Sequence, residues 1–342
     1  MSLSPAPRPP AAPLAALWRA DLLESLHRGH AVVADASGGI VAAWGDPEAV
    51  IYPRSSAKIL QALPLLDSGA GTGLSQERLA LACASHEGGA IHVQGVERWL
   101  ADLGLEEADL RCGPQMPDDA PERRRLRALG QEPCQLHNNC SGKHAGFLML
   151  NQRLGGGSEY IEIDHPVQQA VRAAFEEMTD APSPHWGIDG CSAPNFAATV
   201  SSLARAMARL ARPEGLGRAR GEAARALVAA MIAHPELVAG DGRACTELML
   251  AMKGAAAVKT GAEGVYVAIL PERGLGVALK AEDGATRAAE CAIATLLVRL
   301  GVLDAADPAC ERRMVPVLAN RRGLPAARFA PEPGLWEGGK AI

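Results

Sequence analysis

Lysine is scarce in this chain of 342 residues: only six of its 34 basic residues are lysine, at positions 58, 143, 253, 259, 280 and 340. Arginine therefore serves wherever a surface cation is wanted. A buried ammonium can give up its proton and a guanidinium cannot, so the retained lysines point toward chemistry that needs a neutral amine. Aromatic residues make up 4% of the chain, too few and too scattered for a base-stacking platform. No apolar run approaches the ~20 residues of a membrane helix. Nor is there an excess of positive charge: the net charge of −5 argues against a nucleic-acid or anionic-membrane partner. The first residues carry prolines at 5, 7, 9, 10 and 13 and do not read as a signal peptide. The eight cysteines are spread along the chain, which suits reduced thiols in a cytoplasm better than a disulfide framework.

What is present is a globular composition, 48% hydrophobic and 21% charged. Residues 1–20 read as a loose Pro/Ala-rich segment, followed by one domain over 21–342. Ala31–Ala34 and Ile40–Trp44 flank Ser37-Gly38-Gly39 as a hairpin. Ile59, Leu60, Leu63 and Leu66 recur at helical spacing, with Ser55 at or near that helix's N-terminus. Helices are expected over 92–103, 143–154, 166–178, 196–211, 221–234, 243–252 and 285–300, and 111–142 reads as irregular. Val265–Leu270 and Leu275–Lys280 form a second hairpin, and the proline-rich tail from Val315 reads as extended chain. Strands at both ends around a helical insertion, roughly 90–250, predict an α/β sandwich with a discontinuous sheet.

Ser55-Ser56-Ala57-Lys58 places a hydroxyl and an amine one helical turn apart. The positive end of the helix dipole favours an alkoxide at Ser55 and a neutral Lys58, which is what proton transfer from serine to lysine requires. Alone, the spacing also fits a capping serine and a solvated lysine. Lys259-Thr260-Gly261 precedes the second hairpin, and Ser85-His86-Glu87 lies between the two motifs. Ser-x-x-Lys, a mid-chain serine block and a late Lys-Thr-Gly occur in the order found in penicillin-binding and class A β-lactamase sites, although Ser-Asp-Asn is the usual middle motif. A phosphate loop at Gly254–Thr260 is rejected, because Val258 stands where the second glycine is required. Asn139-Cys140-Ser141-Gly142-Lys143-His144 and Asp189-Gly190-Cys191 bring cysteines onto turn-rich segments. Metal chemistry alone nominates Cys140, His144 and Cys191, against a reading of two buried cysteines near tight turns.

Together with Pro53-Arg54 and Cys83-Ala84, these blocks resemble the Rhizobium etli-type, or class 3, L-asparaginases over roughly residues 22–300. The resemblance implies a fold like the serine β-lactamases and penicillin-binding proteins, an α/β sandwich with antiparallel sheet and helical block. It implies a homodimeric amidohydrolase converting L-asparagine to L-aspartate and ammonia. By that likeness Ser55 with Lys58, and Ser85 with Lys259, are two catalytic Ser–Lys pairs, while Arg54, His144, Asp189 and Gly261 shape or hold the substrate. It places zinc on Cys140, Lys143 and Cys191, which makes Lys143 the nitrogen ligand and requires its free amine. Backbone N–H groups near Ser55 and after Lys259 are the expected oxyanion donors. The alternatives are a related serine amidohydrolase acting on glutamine, a β-lactam or a peptide, and a non-catalytic zinc-binding protein on the same scaffold.

Overall fold

The computed structural model describes residues 9–337; residues 1–8 and 338–342, with Lys340, lie outside that range. Among the described residues twelve strands occur in chain order: β1 Ala12–Arg19, β2 Leu22–Asp35, β3 Ile40–Trp44, β4 Val50–Ile51, β5 Trp186–Ile188 and β6 Pro194–Phe196. They continue as β7 Ala198–Thr199, β8 Ala257–Gly261, β9 Val265–Leu270, β10 Leu275–Ala281, β11 Val317–Ala319 and β12 Pro325–Pro331. The main sheet is antiparallel, ordered β11-β12-β1-β2-β10-β9-β8, with β3 added beside β2. Two small antiparallel pairs, the long-range pair β4 with β7 and the hairpin β5 with β6, stand apart from it.

The architecture is the expected α/β arrangement of antiparallel sheet and helical block. Between β4 and β8 the chain is mainly helical, from the 3₁₀ turn Arg54–Ala57 to the helix Ala244–Ala251, so the block begins earlier than residue 90. Helix Val200–Ala211 packs across β10 on one face of the sheet, and Thr286–Arg299 lies against β9, β10 and β1. Gly276 marks the closest approach: a Cβ there would stand 2.1 Å from the Ala208 backbone nitrogen. Only glycine lets that helix sit so low on the sheet. Both faces of β9 are buried, which explains its unbroken apolar run Val265–Leu270.

Three expectations change. β1 occupies Ala12–Arg19, inside the segment expected to be loose, because Leu14, Ala15, Ala16 and Leu17 bury themselves between β2 and β12. A helix at Ala120–Leu129 interrupts the segment read as irregular; Asp119 accepts from the Glu122 N–H as its cap, and Gly130 ends it in the left-handed conformation. Phe196 belongs to β6 rather than to a helix, which starts at Val200 with Thr199 as its cap. All eight cysteines are free thiols. Among the described residues no helix is long and apolar enough to cross a membrane.

Candidate active site

The centre of the site is a short 3₁₀ turn, Arg54–Ala57, leading into helix Lys58–Asp67. Ser55 lies within that turn and caps nothing; the cap position of the helix is Ala57. Arg54 has a φ of +54°, a left-handed conformation that costs a non-glycine residue on the order of 1–3 kcal/mol. Its guanidinium supports the turn by donating Nε and Nη2 to Asp189 Oδ1, at 2.9 and 2.7 Å. The Ser56 N–H and hydroxyl both donate to the Pro53 carbonyl, at 3.2 and 2.7 Å. These bonds leave the Ser55 hydroxyl at the turn's half-buried face without a hydrogen-bond partner among the described residues.

Strand β8, which carries Lys259-Thr260-Gly261, is the open edge of the main sheet and packs directly on this turn. A Cβ on Gly261 would lie 2.4 Å from the Pro53 carbonyl oxygen, so glycine is the residue that permits the contact. The Thr260 N–H donates to the Cys245 sulfur at 3.2 Å, and Cys245 is in turn 3.1 Å from the Tyr266 hydroxyl. That N–H is therefore not available as an oxyanion donor. Cys245, on helix Ala244–Ala251, has no sequence signal linking it to the Lys-Thr-Gly motif fifteen residues on.

The Ser85 segment is extended and clamped from both sides. Ser85 N–H donates to Val238 O, His86 N–H to Asn139 O and Glu87 N–H to Ala239 O. Lys58, 1% exposed, reaches across to it: Nζ lies 2.9 Å from Ser85 Oγ, 2.5 Å from Ala84 O and 3.4 Å from Asn139 O. The hydrogen bonds thus join Lys58 to Ser85, whereas the motifs pair Lys58 with Ser55 and Lys259 with Ser85. Lys259 donates to its own Thr260 carbonyl at 3.0 Å. Burial pushes the Lys259 amine down to about 7; the Cys245 sulfur opposes that shift and the Lys58 charge adds to it. Cys83, buried beside the two lysines, has its thiol pushed up to about 12 by burial and is inert as a nucleophile.

His86 is structural in this arrangement. Its Nδ1 accepts the Gly88 N–H at 3.1 Å, which places the proton on Nε2, 3.0 Å from Ser141 Oγ. Burial, then the neighbouring His92, keeps the ring neutral. Asn138, which carries no motif signal, braces the loop before the Cys140 helix by donating to Cys112 O and Gly113 O and accepting from the Cys140 N–H.

Behind the turn, Cys140, Lys143 and Cys191 converge. Lys143 Nζ donates to Cys191 Sγ at 3.1 Å, and the neighbouring Cys140 thiol donates to Asn139 Oδ1 at 2.8 Å. The neighbouring Cys140 thiol, followed by Lys143 and His144, holds Cys191 well below the ordinary thiol range against burial, while Cys140 is held well above it. Burial works to discharge Lys143, yet the two sulfurs outweigh it and keep the ammonium. Two sulfurs and an amine in one buried pocket are a donor set that fits a borderline-soft cation such as zinc, with the ion's charge replacing the ammonium proton. His144 does not complete a trio with the cysteines. Its Nδ1 takes the Tyr160 hydroxyl at 2.9 Å, its Nε2 is buried without a partner, and among the described residues no three His, Cys, Asp or Glu groups are placed to hold a metal.

No curated protein matches the chain. Among solved structures, a β-lactamase from Mycobacterium bovis is 15% identical with a TM-score of 0.43, over 80% of this chain and 95% of that one. Mglu in its tris and glutamate form is 14% identical with a TM-score of 0.46, over 86% of this chain and 63% of that one. A β-lactamase-like protein from Bacteroides dorei is 14% identical with a TM-score of 0.39, over 80% and 86%. The L-asparaginase II family matches residues 15–331, a span that takes in the Ser55 turn, the Ser85 clamp, the cysteine blocks and the Lys259 strand. By that match this chain belongs to the L-asparaginase II family.

Proposed function

We propose that the protein hydrolyses L-asparagine to L-aspartate and ammonia through an ester on Ser55. The observation that carries this reading is the gathering of two serines and two buried lysines on one strained turn, one clamp and one strand edge, with one amine brought near neutrality. Ser55 is the nucleophile because its hydroxyl is free and half-buried, whereas Ser85 Oγ is already held by Lys58.

In the forward half-reaction Ser55 Oγ attacks the side-chain amide carbon and its proton passes into the Lys58–Ser85 pair. The tetrahedral adduct collapses with the amide nitrogen leaving as ammonia, its proton supplied from the same network. Water then attacks the resulting β-aspartyl ester, losing a proton to a neutral amine, and Ser55 Oγ departs reprotonated. Lys259 is suited to hold a proton transiently at neutral pH, because its folded value lies close to that pH. Arg54, held by Asp189, supplies a cation for the substrate's carboxylate. Cys140, Lys143 and Cys191 would hold zinc, whose chemistry here is to fix the pocket wall and add a positive charge beside it. The free thiols fit a cytoplasmic enzyme, and a homodimer completes the reading.

The test is ammonia release from L-asparagine, L-glutamine and a chromogenic β-lactam, followed by peptide mass spectrometry of acid-quenched enzyme. An aspartyl adduct on the peptide containing Ser55 is expected. Failure to release ammonia from asparagine, or an adduct confined to another residue, refutes the reading.

A further inference from the structure

Seven of the eight cysteines are buried, and Cys134 alone is half-buried. Burial pushes the Cys83, Cys112 and Cys291 thiols up to about 12 and Cys310 up to about 11, which leaves them unreactive. Cys140 and Cys191 belong to the pocket with Lys143, and Cys245 is held between the Thr260 N–H and the Tyr266 hydroxyl. Cys134 stands instead at the head of the 3₁₀ turn Gln135–His137, none of whose residues the proposed hydrolysis uses.

A thiol, an imidazole and a carboxylate are linked there. Cys134 Sγ is 3.3 Å from His137 Nδ1, and His137 Nε2 is 3.1 Å from Glu122 Oε1. The Cys134 N–H donates to the same Nδ1 at 3.1 Å, which leaves Nδ1 an acceptor and puts the ring proton on Nε2, facing the carboxylate. His137 and Glu122 are both buried, so this end of the relay is closed to water. Arg125 donates Nε and Nη2 to Glu122, and its charge interacts with the Cys134 sulfur. The Arg125 hydrogen bond, opposed by burial and helped by His137, holds the Glu122 carboxyl below its usual range. A carboxylate is thus in place to balance a protonated imidazole. The two ring nitrogens face opposite ways, which suits a proton relay and not a shared metal ion, and among the described residues this trio is not placed to hold one. A nucleophile beside a base, with the base oriented by a third group, is the arrangement of an activated thiol. An oxygen side chain is the usual occupant of a cap position, so a sulfur there adds reactivity rather than capping.

We propose that Cys134 is a modification site, a thiol activated by His137 and Glu122 that exchanges with small disulfides and carries the resulting mixed disulfide. The Cys134 proton passes to His137 Nδ1, and the sulfur attacks one sulfur of the incoming disulfide. A new S–S bond forms as the old one breaks, and the departing thiolate takes the proton back from Nδ1 and leaves as a thiol. The incoming disulfide is the oxidant, and no other is needed. The turn runs directly into Asn138 and Asn139, whose carbonyl takes the Lys58 amine, so the adduct lies on the approach to the Ser85 clamp.

The experiment treats the folded full-length protein at neutral pH with dithiobis(nitrobenzoate) and follows release of the coloured thiol, with peptide mass spectrometry to locate the adduct. One thiol per chain should react fast, on the peptide containing Cys134. It should react roughly tenfold faster than the same cysteine in the urea-unfolded chain, because an ordinary thiol is only a few per cent ionised near pH 7. Glu122→Gln and His137→Gln should each remove most of that advantage, and Cys134→Ser should abolish the fast phase while leaving amide hydrolysis unchanged. A fast adduct on any other cysteine, or a fast phase that survives Cys134→Ser, overturns the proposal. So does a folded-state rate no greater than the unfolded one, which would mean exposure alone, or wild-type rates in both relay variants. If those two variants fail to fold, the comparison of folded and unfolded wild type still decides.

Discussion

Replacing Lys259 with methionine should stabilise this protein at neutral pH while destroying its activity. Methionine keeps the length of the side chain and removes the amine that burial holds at about 7, against an ordinary 10.5. Between those two values the unfolded chain binds a proton that the native state lacks, so stability rises with pH across that window. The penalty of burying Lys259 is therefore absent above 10.5, grows as pH falls, and is complete at about 7 and below. Each pH unit is worth about 1.4 kcal/mol, so the penalty at neutral pH is on the order of 5 kcal/mol. Urea unfolding of wild type and Lys259→Met from about pH 6 to about pH 10 measures it. The variant should be the more stable by several kcal/mol near pH 7, with the advantage shrinking by about 1.4 kcal/mol per pH unit above it. In parallel, wild-type kcat/KM should rise through pH 7 as Lys259 loses its proton, and the variant should lose roughly 10²–10⁴-fold. A stability difference that stays flat across this range refutes the argument, because it would mean that Lys259 titrates alike in both states.

Further outcomes are expected at three other positions. Ser85→Ala removes the partner of the Lys58 amine and should lower kcat on the order of a hundredfold or more, with an adduct still forming on Ser55 in a slow burst; a wild-type rate would dismiss Ser85 from proton transfer. Cys191→Ser replaces the sulfur beside Lys143 and should abolish stoichiometric zinc measured by plasma emission after dialysis; an unchanged zinc content would rule out this trio. Gly261→Ala puts a methyl group 2.4 Å from the Pro53 carbonyl and should cost roughly 1–3 kcal/mol by thermal unfolding while displacing the Ser55 turn. A variant with wild-type melting and activity would show that β8 does not set the position of that turn.

Much of the architecture was legible because periodicity is local. The run Val265–Leu270 is a strand to the residue, and the helices at 143–154, 166–178 and 285–300 differ from the observed ones by at most two residues at either end. β1 is a strand only because β2 and β12, the latter from the far end of the chain, supply its neighbours, and its composition of alanine, proline and leucine carries no alternation. The helix at Ala120–Leu129 did carry its own signals, Asp119 before a proline-led first turn and Gly130 after the last, and these were outweighed by the prolines around it.

By itself the sequence determined which groups could do chemistry: few lysines, two of them in serine- or cysteine-bearing blocks and a third in Lys259-Thr260-Gly261, with the spacing and order of an amidohydrolase family. It could not determine which amine meets which hydroxyl. Ser55 and Lys58 are neighbours along the chain, yet the hydrogen bond runs from Lys58 to Ser85, because the turn at Arg54 lifts Ser55 away and the clamp between Asn139 and Val238 brings Ser85 in. Nor could it say that Lys259 sits near neutrality, since that depends on how completely the fold buries one amine and on the charge of a second lysine, Lys58, placed near it. Spacing along a chain is read from neighbours within a few residues; desolvation and pairing are set by whatever the fold packs alongside, and only the tertiary structure holds that information.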